Sequence, residues 1–141
     1  MSVGPSFSSA NFYAAVDTLL YVSYSSTHTL MPDDSEELLK GTLDMLILKA
    51  LDLQPMHGWG IGERIAQLSR DVFHVQTGTL YPALQRLLRR GWIAAEWSTT
   101  DAGRRARHYR LTTAGRKQLE AERASWERAS LAVRRIMSAE S

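Results

Sequence analysis

The stretch Val75-Gln76-Thr77-Gly78-Thr79-Leu80-Tyr81-Pro82-Ala83-Leu84-Gln85-Arg86-Leu87-Leu88-Arg89-Arg90-Gly91 decides how the rest of the chain is read. Leu80, Leu84, Leu87 and Leu88 fall on one helical face, so a helix here can bury one side. The other side carries Gly78, Pro82, Gln85, Arg86 and Arg89. Apolar inward and amide or guanidinium outward, such a helix suits a groove in DNA. Pro82 is expected to set the helix start near Gly78 or Thr79, because a proline deeper inside removes a backbone bond and clashes with the preceding turn. That start puts Gln76, Thr77, Gly78 and Thr79 at the N-terminal tip, where backbone N–H groups can meet a phosphate. Gly91 stands where a helix ends in glycine.

Upstream, Ser35 followed by Glu36 and Glu37 opens a helix with acids in its first turn. Leu39, Leu43, Leu46, Ile47, Ala50 and Leu51 recur at helical spacing until Gln54-Pro55 stops the run, which predicts a core helix. His57-Gly58-Trp59-Gly60 reads as a glycine-punctuated turn, and Ile61, Ile65 and Leu68 as a shorter helix after it. Downstream, Ile93, Ala95 and Trp97 alternate with Ala94, Glu96 and Ser98, the period of a strand. Ser98 to Gly103 reads as a loop from which Tyr109 and Leu111 return as the second strand of a hairpin. Thr112 or Thr113 then caps a final helix reaching about Met137, on the order of 37 Å long. Leu119, Trp126 and Val133 sit seven apart on it, with Ala129 and Ile136 on a neighbouring seam, a heptad-like stripe suited to packing against another helix.

Composition narrows the function. The chain of 141 residues accommodates one domain with a real core, and its 44% hydrophobic and 23% charged content is ordinary for a globular protein. With no cysteine, a disulfide framework, a thiolate metal site and a thiol nucleophile are all excluded. His57, His74 and His108 are scattered without metal-ligand spacing, and no nucleophile elbow or phosphate-binding glycine loop occurs. No enzyme activity, metal or cofactor is therefore expected. The net charge is only +2, but Arg104, Arg105, Arg107 and Arg110 lie within a dozen residues that hold one acid, Asp101. Residues 1 to 30 stand apart, with seven serines, no Lys or Arg and the single acid Asp17. Residues 1–34 are read as an N-terminal extension, either disordered or a short docked helix, with Met31 as an alternative start; no stretch reaches the length of a membrane span.

Three helices followed by a hairpin, the third helix polar outward and the hairpin loop rich in arginine, is the order of a winged helix-turn-helix. The fold is thus expected to be mainly α with a small β-hairpin: a winged helix-turn-helix over residues 35–111 and a long C-terminal dimerisation helix over 112–141. A helix in the major groove and an arginine loop on phosphates or the adjacent minor groove are complementary contacts on one duplex. Gln76, Thr77, Gln85 and Arg86 are the candidate base readers, and Arg104, Arg105 and Arg107 the candidate phosphate contacts. Tyr81 is read equally as a phosphate contact and as a core-edge tyrosine.

The chain resembles the PadR-like transcriptional regulators. The matching residues are Gly41 to Leu51, His57-Gly58-Trp59-Gly60-Ile61, Gly78 to Leu87 and Gly91-Trp92-Ile93, followed by Arg104 to Thr112, Ala114-Gly115 and Trp126. The likeness spans roughly residues 36 to 137 and implies a homodimeric repressor that dimerises through its last helix; with one recognition helix per subunit, a roughly palindromic operator is expected, and the cytoplasm as the place of action. It implies that Thr79, Tyr81 and Pro82 lie at the tip of the recognition helix and that the wing arginines meet the DNA backbone. Some members leave DNA when a small aromatic or drug-like effector binds near the dimer interface, and Trp97 and Trp126 are the aromatic groups that would serve here. For both tryptophans the plainer reading, interface core, weighs more. The alternative to a DNA-binding regulator is a winged-helix module that binds another protein.

Overall fold

The computed structural model describes residues 34–99, 103 and 105–141. The expectations for residues 1–33 and for Arg104 fall outside these. In chain order the elements are α1 (Asp34–Leu53), β1 (Met56–His57), α2 (Gly58–Leu68), α3 (Thr77–Arg89), β2 (Ile93–Thr99), β3 (Arg105–Leu111) and α4 (Thr113–Met137). The strands form an antiparallel sheet in the order β1-β3-β2, with β2 and β3 paired from Ile93 opposite Leu111 to Thr99 opposite Arg105. The fold is thus the expected helical one with a hairpin wing, with one addition. Met56 and His57, of which only His57 is assigned by the sequence, to a turn, pair with Tyr109 and His108 as a third strand.

The core is built where the apolar spacing placed it. Leu39, Leu43, Ile47, Leu48 and Leu51 of α1 are buried with Ile61 and Ile65 of α2 and Leu80, Leu84 and Leu87 of α3. Ile93 and Tyr109 close it from the sheet. α4 packs on α1 through its first turns, where Leu119 is 1% exposed and Arg116 reaches Asp52 at 2.6 Å. Leu119 therefore belongs to the core of its own chain. This corrects its place in the expected dimerisation stripe: heptad spacing locates an apolar seam but does not say which neighbour fills it.

Local chemistry sets the helix ends. His57 caps α2, its Nδ1 accepting from the N–H of Gly60 at 3.2 Å. α2 ends with Arg70 N–H donating to the carbonyl of Gln67 and Asp71 N–H to that of Ala66, the double bond of a Schellman turn. The residue in the left-handed position is Arg70, at φ 52°, followed by Asp71 at φ 65°. α3 ends in the same way but with glycine, as expected: Gly91, at φ 74°, donates to Leu88 and Trp92 to Leu87. The next segment docks directly on α4. The Thr112 hydroxyl donates to the Gly91 carbonyl at 2.7 Å and accepts from Gly115 N–H at 3.0 Å. A methyl group at Gly115 would collide with the Trp92 carbonyl oxygen, so only glycine permits this approach.

Candidate nucleic-acid interface

α3 begins at Thr77, with Gln76 as its N-cap. The start expected from Pro82 lay at Gly78 or Thr79, so the proline sits deeper in the helix than its chemistry suggested. The cost is confined. Pro82 has no N–H to offer the Gly78 carbonyl four residues back, but Pro82 is exposed, and water can reach that carbonyl. In the first turn the Gln76 carbonyl accepts from both Thr79 and Leu80, each at 2.9 Å. The amides of Thr77 and Gly78 precede any carbonyl that the helix could offer them. No acid occupies the first turn of α3, and the Gln76 side chain makes no capping bond. The helix thus supplies no negative charge of its own to its positive end, beside the exposed Gln76 side chain.

The outward stripe of α3 is Pro82, Gln85 and Arg89, all exposed, with Gly78 half-buried one turn before them. Thr79 is half-buried on the flank. Two expected side chains, Thr77 and Arg86, are placed otherwise, and Tyr81 takes the core-edge one of its two readings. Thr77 is buried at 9% exposure, so its hydroxyl faces the domain and not a base; only its backbone N–H remains at the tip. Tyr81 lies half-buried over Gly58, where an added Cβ would come within 2.7 Å of its hydroxyl oxygen. That contact explains why a glycine opens α2 opposite this tyrosine, and it gives the core-edge reading of Tyr81 its structural content. Arg86 is bonded in bidentate fashion to Asp44 of α1, Nη2 to Oδ1 at 2.5 Å and Nε to Oδ2 at 3.4 Å. The hydrogen bond to Asp44 raises the Arg86 pKa further above its usual value. Asp44, which sequence reasoning did not single out, is thus part of how the helix is held. Its only signal was its place within the Gly41 to Leu51 block.

The wing brings a second set together. β-pairing sets Trp97 opposite Arg107 and Thr99 opposite Arg105. The guanidinium carbons of Arg105 and Arg107 lie 4.7 and 5.8 Å from the centroid of the Trp97 ring. Trp97 is 58% exposed. At the base of the wing the His57 and His108 rings meet edge to face with centroids 6.1 Å apart, and His108 Nδ1 lies 2.8 Å from the Ser98 hydroxyl. Burial lowers the His57 pKa, His108 adds to the effect and Glu63 opposes it.

Trp126 stands far along the chain from this group, on the part of α4 that leaves the domain. From Arg123 to the end of the chain every residue except Ser130 is exposed. Trp126 is 40% exposed, Val133 58% and Ile136 72%, and Ala129 is exposed beside them. The structure therefore sets Trp97 on the wing and Trp126 on the projecting helix.

Residues 47–121, more than half of the chain, match the transcriptional regulator PadR-like family. Among solved structures, the chain is similar to a PadR family transcriptional regulator from Eggerthella lenta at 27% identity and a TM-score of 0.66, covering 90% of this chain and 99% of that one. It is also similar to a PadR-like transcriptional regulator from Bacillus cereus at 26% identity and a TM-score of 0.64, covering 74% and 99%. A transcriptional regulator of Mycobacterium tuberculosis is 44% identical over 61 residues, which make up 43% of this chain and 56% of that regulator.

Proposed function

The chain belongs to the PadR-like family of transcriptional regulators, and from that premise we propose that it is a homodimeric repressor that reads a palindromic operator with one α3 per half-site. The observation that carries this reading is the outer face of α3: a helix start with no acid in its first turn, then Pro82, Gln85 and Arg89 exposed in one line. In this reading Gln76 and Gln85 meet base edges, where an amide can bond an adenine in bidentate fashion for about 1–3 kcal/mol of discrimination. Gly78, Thr79 and Pro82 bring the helix tip close to the backbone, and the Thr77 and Gly78 amides face a phosphate. Tyr81 acts through its packing on Gly58, and Arg86 through Asp44, by setting the angle at which α3 leaves the domain. Arg104, Arg105 and Arg107 of the wing meet phosphates, and Arg89 extends that positive edge.

Residues 35–111 form the DNA-binding domain in this reading, residues 112–141 the dimerisation segment and residues 1–34 an extension. Trp126, Ala129, Val133 and Ile136 recur three, four and three apart on a stretch of helix that the described residues leave exposed. That is the spacing of a two-helix seam, and a second copy would cover it. Trp126 is also where a small aromatic or drug-like effector would act, by competing for the same apolar seam. The regulator works in the cytoplasm on double-stranded DNA, and no enzymatic step is assigned to it.

The test is selection from a random duplex pool with the full chain. The enriched sequences are expected to hold two inverted half-sites with centres about ten base pairs, one helical turn, apart. A pool that shows no enrichment after repeated rounds would overturn DNA reading and favour the protein-interaction alternative.

A further inference from the structure

One face of the wing carries a column of alternating rings and cations. Tyr109, 3% exposed, anchors it in the core. The Arg107 guanidinium carbon stands 5.7 Å from the Tyr109 centroid and 5.8 Å from that of Trp97, and the Arg105 guanidinium carbon lies 4.7 Å from the same Trp97 centroid. The register explains the order: Ala95 faces Tyr109, Trp97 faces Arg107 and Thr99 faces Arg105 across the two strands. A two-stranded ribbon beyond the core has little to hold long side chains in place. An arginine left to itself loses side-chain rotamer freedom when a phosphate fixes it.

We propose that Trp97 is a positioning residue for DNA binding: its ring, footed on Tyr109 through Arg107, holds Arg105 and Arg107 in the orientation in which they meet phosphates. The inference rests on the reading that the wing touches DNA. It reassigns Trp97 from an effector platform to part of the nucleic-acid surface. A tryptophan more than half exposed is well suited to this, because its faces remain open to both guanidinium planes.

The test is a set of anisotropy titrations of the full chain on a fluorescein-labelled duplex of mixed sequence, across a series of KCl concentrations. Each exposed cation–π contact is modest, so Trp97→Leu is expected to weaken binding about fivefold. It should leave the slope of log affinity against log salt unchanged, since no cation has been removed. Arg105→Ala and Arg107→Ala should weaken binding and also lower that slope by about one each. Trp97→Phe, which keeps a ring, should recover most of the loss. In a chain lacking both arginines, Trp97→Leu should have no further effect. Urea midpoints equal to the parent's would show that the fold is intact. If the arginine variants bind as the parent does, the wing reading itself fails. If they bind weakly but Trp97→Leu is silent, or costs the same with and without the arginines, the positioning role is overturned.

Discussion

Removing Arg86 tests whether this guanidinium holds α3 or reads DNA. Its bidentate bond to Asp44 joins α3 to α1 across 42 residues of sequence. The side chains are 40% and 24% exposed, which places the pair between two regimes. Fully exposed pairs contribute about 0.2–1 kcal/mol, and breaking a fully buried one costs about 3–5 kcal/mol. With two bonds, but with solvent screening on the arginine side, a coupling of about 1 kcal/mol is expected. Arg86→Ala alone should cost somewhat more, about 1–2 kcal/mol, because it strands a largely covered carboxylate. The assay is urea unfolding of the parent, Arg86→Ala, Asp44→Ala and the double variant, at one protein concentration because the stability of a dimer depends on it. On DNA, Arg86→Ala should weaken binding to every sequence without changing the preferred one. A coupling indistinguishable from zero, or a selected site altered at one base pair per half-site, would refute the clamp and return Arg86 to the base readers.

Other perturbations follow from single contacts. Arg70 occupies a left-handed position that disfavours a side chain, so Arg70→Gly should stabilise the fold by about 0.5–1 kcal/mol in urea titration. Gly115→Ala should destabilise it by about 3 kcal/mol in the same assay, because the new methyl meets the rigid Trp92 carbonyl. His57 has a folded pKa below its unfolded value, so the unfolded chain binds more protons below about pH 6.5; stability should be level above that pH and fall as pH drops through it. His57→Asn, which can still cap α2, should flatten the fall when urea midpoints are followed from pH 7 to pH 5, as an order-of-magnitude window. Trp126→Asp with Val133→Asp should give a monomer by sedimentation while leaving the buried core folded, and a persistent dimer would remove α4 from the interface.

Much of this architecture was open to sequence reasoning because its signals are local. Gly91 and Thr112 mark helix ends by their own backbone and hydroxyl chemistry: Gly91 takes the left-handed position just past α3, and Thr112 caps α4. The leucines of α1 and α3 declare their buried faces by spacing alone. What escaped is non-local. Met56 and His57 are too few to show a period, and they become a strand only because β3 arrives beside them. Leu119 and Trp126 share one heptad position, yet among the described residues the first is 1% exposed where α4 packs on α1 and the second is 40% exposed. Arg86 lies on the polar side of its helix by spacing, but its partner Asp44 comes from another helix. Pro82 misplaced the start of α3 because its penalty was counted as prohibitive, whereas exposure lets solvent take the freed carbonyl.

The most direct test of α3 as the reading element is to repeat the random-duplex selection with Gln85→Ala beside the parent. The same half-site spacing is expected from both, with preference lost at one base-pair position in each half-site for the variant. Identical selected sites from the two proteins would contradict base reading by the exposed face of α3.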